Sequence, residues 1–153
     1  MRYIIGILSI FFGDGLIKKY IDENKTFSQE EEILNGTITL TKYHNKGAML
    51  NFMQKRPEWV LRISFAGLCA AIIYFLQVIA KGSNILLKIG MTLLVGGGLS
   101  NLYDRIKKGY VVDYFIINFR KLKNIIFNLS DFMIFIGGAL VLIGAMVEDR
   151  KTK

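Results

Sequence analysis

One proline, one cysteine and one histidine are all that this 153-residue chain holds of three residue types, and each shortage closes off an explanation. A lone cysteine, Cys69, allows neither a disulfide framework nor a cysteine metal site; lying inside an apolar run, it is expected to serve packing. A lone histidine, His44, cannot build a histidine-rich zinc site, and in a polar connecting segment it reads as a surface residue. No metal and no organic cofactor are expected. Charge is scarce as well. Charged residues make up 21% of the chain against 52% hydrophobic, with a mean hydropathy of +0.38, a balance too apolar for a soluble domain of this size.

What is present are long apolar runs. Residues 2–21, 59–80, 85–102 and 129–147 are each long enough to cross a hydrocarbon layer about 30 Å thick. The expected fold is an all-α integral membrane protein: one membrane-embedded domain over residues 1–153, four transmembrane helices and a small extramembrane β element. Arg2 before the run 3–13 resembles the start of a cleavable signal peptide, but Asp14 and Lys18 stand where a small-residue cleavage site belongs. The first run is therefore read as a retained helix. The net charge of +8 is assigned to helix ends beside anionic lipid headgroups, so membrane lipids are expected partners and nucleic acid is not.

The polar segment 22–58 contains the alternating run 37–43 behind Asn35-Gly36, the pattern of a strand entered through a tight turn. Lys81, Gly82, Ser83 and Asn84 are too few to do more than join the second and third spans as an antiparallel hairpin. Ala66, Gly67, Ala70 and Ala71 offer small-residue pairs for close approach of a neighbouring helix. Gly96-Gly97-Gly98 reads as close packing in preference to a backbone thinned for substrate. Segment 105–127, basic and aromatic, is expected to lie along the interface. Counting basic residues with the amino terminus inside puts fewer within the cytoplasm than outside, so charge alone leaves the orientation open.

Acids inside the spans carry the functional signal, because an aspartate at mid-bilayer costs about 2.5–3.5 kcal/mol on insertion scales. Asp14 and Lys18 are spaced to share a helix face and pair; Asn101, Asp104 and Arg105 crowd the end of the third run; Asn128 and Asp131 share a face at the start of the fourth. For Asp14 and Asp104, pairing with the neighbouring cations Lys18 and Arg105 is the plain alternative. Asp113 and Asp131 have no basic residue within four positions. Two carboxylates sharing a site of low dielectric cannot both ionise, which leaves one as acid and one as base. That is the requirement of an aspartyl peptidase.

Five segments together resemble the bacterial lipoprotein signal peptidases, the signal peptidase II family. They are Asp14-Gly15-Leu16-Ile17-Lys18; Asn45-Lys46-Gly47-Ala48; residues 96–105 from Gly96 to Arg105; residues 109–114 around Asp113; and Phe127-Asn128-Leu129-Ser130-Asp131. The likeness covers the whole chain in family order. It implies an aspartic-type peptidase that removes signal peptides from diacylglyceryl-modified prolipoproteins before the lipidated cysteine. By this resemblance Asp113 and Asp131 are the catalytic dyad, Asn45, Gly47, Asn101, Asp104, Arg105 and Asn128 line or support the site, and Asp14 and Lys18 form a supporting network. It also implies a bacterial inner-membrane protein with both termini cytoplasmic, the β element extracytoplasmic and the site near the outer face; a monomer is expected. Ser100 stands where the family has glycine, Ser130 where alanine is frequent, and Met49-Leu50-Asn51 departs from the usual pattern of a loop that shapes the substrate groove. The competing readings are a small proton- or cation-coupled carrier and an inactive paralogue acting as a binding partner.

Overall fold

The single proline, Pro57, sits at the first turn of a helix, where a missing N–H is no loss. That helix is one of four in a computed structural model that describes residues 1–27, 29–48 and 52–152. In chain order the elements are α1 (Arg2–Asn24), β1 (Glu31–Ile33), β2 (Ile38–Asn45), α2 (Pro57–Ala80), α3 (Ile85–Lys108), β3 (Val111–Ile117), a short 3-10 helix (Arg120–Asn124), β4 (Ile126–Phe127) and α4 (Leu129–Thr152). Residues Met49, Leu50 and Asn51, where the sequence departs from the family pattern, lie outside the described residues.

Among the described residues, three helical stretches are long and apolar enough to cross a membrane: Pro57–Ala80, Ile85–Lys108 and Leu129–Arg150. The run expected as a further span is helical throughout α1, but Asp14, Lys18 and Lys19 interrupt its apolar composition. The third helix is longer than the run of 85–102, continuing through Lys108 to Gly109, whose φ of 79° supplies the left-handed C-cap. Exposed Ile63, Phe65, Ile73 and Leu76 on α2, and Leu142, Ile143 and Met146 on α4, give these helices apolar outer faces suited to lipid.

Helix α3 is the centre of the bundle: 56% of its most apolar stretch is buried, against 17% for α2 and for α4. Its three consecutive glycines each face a different helix. A Cβ at Gly96 would lie 3.1 Å from Ile10 of α1, one at Gly97 2.5 Å from the Ser130 carbonyl oxygen of α4, and one at Gly98 3.1 Å from Leu68 of α2. Close packing is thus their structural use. Gly90 and Gly137 repeat the pattern further along: a Cβ at Gly90 would lie 2.8 Å from the Gly137 carbonyl oxygen, and one at Gly137 2.7 Å from that of Gly90. The small residues of α2 behave otherwise. Ala66, Gly67 and Ala70 are exposed, and a Cβ at Gly67 would meet nothing within 4 Å; exposed Cys69 likewise faces outward instead of packing.

The β element is larger than the sequence suggested. Leu34, Asn35 and Gly36, all with positive φ, turn the chain from β1 into β2, and β2 pairs antiparallel with β3, which in turn pairs with β4. The stretch expected to lie along the interface therefore supplies two strands of a four-stranded sheet, ordered β1-β2-β3-β4. Val111, Val112, Asp113 and Tyr114 are all buried, so β3 is covered on both faces. His44 is not a plain surface residue: its ring stacks on Tyr110 at 3.8 Å and its Nε2 lies 2.8 Å from Asp22 Oδ1, fastening the sheet to the end of α1.

Candidate active site

Asp131 occupies the first turn of α4, and its placement follows from a capping box. Its backbone N–H donates to Asn128 Oδ1 at 3.0 Å, while the Asn128 N–H donates to Asp131 Oδ2 at 3.1 Å. The Asn128 side-chain Nδ2 is then directed at Asp113 Oδ1, 2.7 Å away on β3. One asparagine therefore touches both acids, and both line a cavity of about 50 Å³ together with Asn45, Asn101 and Arg105. That volume suffices for a water molecule among polar partners.

Three side-chain amides face the acids, and each is oriented by a group that can only donate. Lys18 Nζ donates to Asn101 Oδ1 at 2.8 Å, so Asn101 Nδ2 points at Asp131 Oδ1, 2.9 Å away. The Gly47 N–H donates to Asn45 Oδ1 at 2.9 Å, so Asn45 Nδ2 points at Asp113 Oδ2, also at 2.9 Å. Asn128 is fixed in the same sense by the Asp131 N–H. An ammonium or a backbone N–H cannot accept, so a flipped amide would set two donors or two acceptors face to face. All four carboxylate oxygens of the pair receive an N–H.

Burial, with the charge of Asp131 beside it, pushes the Asp113 carboxyl up to about 7. At neutral pH Asp113 thus holds a proton for much of the time. Arg105 lines the same cavity; its Nη2 donates to the Gly47 carbonyl at 3.0 Å and its Nη1 to that of Asn101 at 3.3 Å. Its buried Nε–H has no partner among the described residues.

Behind Asn101 lies a buried ionic network. Lys18 Nζ is 2.7 Å from Asp14 Oδ2 and 3.5 Å from Asp104 Oδ2, with Asp14 and Lys18 at 0% and 1% exposure. This is the pairing expected of Asp14 and Lys18, though neither sits at a helix end reaching for water. Asp104 is different from expectation: its partners are Lys18 and Lys108, and it accepts the Val112 N–H at 3.2 Å. Neighbours in a helix point about 100° apart, which is why Arg105 turns to the cavity while Asp104 turns to α1.

All ten residues singled out in the sequence therefore come together, eight around the cavity or directly behind it and Asp14 with Lys18 joined through Asn101. The sequence reading missed three hydroxyls. Ser100, Ser130 and Tyr114 each donate to Asp14, at 2.6, 2.5 and 3.0 Å. Burial, then the charge of Asp14, pushes the Tyr114 phenol well above its ordinary range, so it remains a donor. Adjacency to Asn101, Asp131 and Asp113 was the available signal.

An open groove of about 290 Å³ leads from the apolar faces of α2 and α4, past Gly67, Leu68, Gly98 and Phe135, to Asn101, Arg105 and Asp131. No group of three or more potential metal ligands is present among the described residues.

The model of the family described as signal peptidase (SPase) II matches residues 6–147. A lipoprotein signal peptidase of Listeria welshimeri is 30% identical over 153 residues, covering 100% of this chain and 98% of that protein. One from Caldicellulosiruptor bescii is 34% identical over 149 residues, covering 97% and 93%. A solved bacterial membrane enzyme superposes with a TM-score of 0.84 at 23% identity, covering 99% of this chain and 91% of that one, and so shares its fold. On the family match and these identities, the chain belongs to the signal peptidase II family.

Proposed function

We propose that the chain is an intramembrane aspartyl endopeptidase that removes signal peptides from diacylglyceryl-modified prolipoproteins, cutting just before the lipidated cysteine, with Asp113 and Asp131 as its catalytic pair. The observation that carries this reading is the two buried carboxylates lining one water-sized cavity, bridged by Asn128. The family's relatives are named for the same kind of substrate.

Division of labour follows from the surroundings. Asp131, with both oxygens accepting N–H groups and Lys18 linked through Asn101, serves as the base that takes a proton from the attacking water. Asp113, with its carboxyl at about 7, donates a proton to the carbonyl oxygen as the tetrahedral diol forms. In breakdown the protonated Asp131 gives its proton to the departing amine, the ionised Asp113 takes one back from a diol hydroxyl as the carbonyl re-forms, and the scissile C–N bond breaks. The free Nε–H of Arg105 is available to a substrate carbonyl in the cavity. The groove from the lipid-facing side suits a substrate that arrives laterally, its acyl chains remaining in the bilayer.

Further support concerns topology. Asp14 and Lys18 are buried while Ile4, Ile5, Leu8, Phe12 and Leu16 of α1 face outward, which suits α1 as a fourth span. The α2–α3 turn meets the far end of α4, where Asn84 Nδ2 donates to Glu148 Oε2 at 2.6 Å and to the Gly144 carbonyl at 2.8 Å. The sheet is built from the α1–α2 and α3–α4 connections. An even number of spans puts both termini on one side, assigned here to the cytoplasm, and the sheet with the site towards the outer face of the bacterial inner membrane. The enzyme acts as a monomer without metal or cofactor.

The decisive experiment is cleavage of a lipidated precursor by purified protein. Asp131→Asn should lower kcat about a hundred- to ten-thousandfold; cleavage at the wild-type rate would remove the basis of the assignment. Neither form of a carrier would cleave.

A further inference from the structure

We propose that the hydroxyls of Ser100, Tyr114 and Ser130 are positioning residues that hold Asn101, Asp113 and Asp131 in mutual register by meeting on one carboxylate, that of Asp14. The inference rests on the peptidase reading above.

Three separate elements carry the groups that face the cavity: Asn101 on α3, Asp113 on β3 and Asp131 on α4. In each, a residue next in the chain bears a hydroxyl, Ser100 before Asn101, Tyr114 after Asp113 and Ser130 before Asp131. Ser100 and Ser130 donate to Asp14 Oδ2 at 2.6 and 2.5 Å, and Tyr114 donates to Asp14 Oδ1 at 3.0 Å. Tyr114 Oη also accepts the Leu129 N–H at 2.9 Å, which binds β3 to the start of α4 a second time. None of these four side chains lines the cavity shared by the acids. Asp14 and Ser130 are 0% exposed, Ser100 4% and Tyr114 5%.

Helical and sheet hydrogen bonds fix the shape of each element but not its sliding or rotation against the next. The α3–α4 contact is made through glycines, Gly97 against the Ser130 carbonyl and Gly90 against Gly137. Such a seam brings backbones close and offers no interlocking side chain at those points. A carboxylate receiving a donor from each of three elements supplies the missing constraint, at one residue's distance from each working group. That distance is about 3.8 Å of chain, so little freedom remains between the tie and the group it places. The two serines converge on the same oxygen. Lys18, 2.7 Å from that oxygen, carries the constraint on to Asn101 Oδ1 at 2.8 Å.

A positioning role has a kinetic signature separate from a structural one. Removing one hydroxyl leaves Asp14 with Lys18 and two other donors, so its charge remains satisfied and the fold persists. Displacement of a reacting group by about 1 Å, by contrast, is enough to cost about a hundredfold in rate.

The test compares Ser100→Ala, Tyr114→Phe and Ser130→Ala, singly and combined, on a lipidated precursor, with the wild type and Asp131→Asn alongside. Each single variant should lose about tenfold in kcat, and the triple variant about a hundredfold or more, with KM within about twofold and an unfolding temperature within about 4 °C of the wild type. Wild-type kcat in the single and triple variants, with both controls behaving as proposed, would overturn the positioning role alone. So would a loss of kcat that merely tracks a fall in unfolding temperature. An inactive wild type, or an active Asp131→Asn, would overturn the peptidase reading and this inference with it.

Discussion

Replacing Asp113 with asparagine should make the protein's stability less dependent on pH, and the size of the effect follows from its burial. Asp113 is 2% exposed, and its carboxyl is pushed up to about 7 by that burial and by the charge of Asp131. In the unfolded chain the same carboxyl titrates near 3.9. Between the two values the folded protein holds a proton that the unfolded chain has released, so stability from this group is complete at low pH and is lost as pH rises through about 7. Integrating the difference, the wild type should lose about 2.5 kcal/mol between pH 5 and pH 8 through Asp113 alone. Asparagine cannot ionise and lacks that slope. It also turns one N–H donor towards Asn45 or Asn128, a clash worth about 1–3 kcal/mol at every pH, so the variant should be the weaker protein at pH 5 and close the gap at pH 8. Unfolding of the two proteins in the same micelles, at both pH values, measures this. On the scale of about 2–4 °C per kcal/mol for a chain of this size, the difference in unfolding temperature should change by about 5–10 °C. An equal difference at pH 5 and pH 8 would refute the claim that Asp113 retains its proton near neutrality.

Lys18→Met removes the cation from a buried pair and strands Asp14; it should destabilise by about 3–5 kcal/mol, read by the same unfolding assay, and pairing it with Asp14→Leu should recover part of that loss. Gly97→Ala places a methyl 2.5 Å from the Ser130 carbonyl; it should destabilise by about 1–3 kcal/mol and lower kcat by shifting α4 at Asp131, whereas Gly67→Ala, where no atom stands within 4 Å, should leave stability within about 0.5 kcal/mol.

Helices α2, α3 and α4 were legible because a lipid-facing helix must satisfy its backbone internally and present apolar side chains outward. The acids were legible because charge inside such runs is costly. Strand β3 was not. Its first four residues, Val111 to Tyr114, are buried on both faces, so they lack the alternation that betrays β2, and its partner lies far away in sequence, with Asn45 opposite Val111. The partner of Asp104 was misjudged for a local reason: the adjacent Arg105 points elsewhere, whereas Lys108, one helical turn on, lies 3.4 Å away. Ser100, Tyr114 and Ser130 carried one signal in the sequence, adjacency to Asn101, Asp113 and Asp131, a weak one in a chain with serine and tyrosine throughout; only the fold gathers their hydroxyls on Asp14.

The run Gly96-Gly97-Gly98 has one more consequence. With a glycine set against each of α1, α4 and α2, α3 works as an axle, and any twist of it would be felt at once by every other helix. Helix α2 touches that axle at Leu68, and its small-residue face at Ala66, Gly67 and Ala70 is otherwise bare. It walls the groove at Gly67 and Leu68, whereas Asp14, Asn101 and Asp131 are carried by α1, α3 and α4, so the door and the blade of this enzyme are built on different helices.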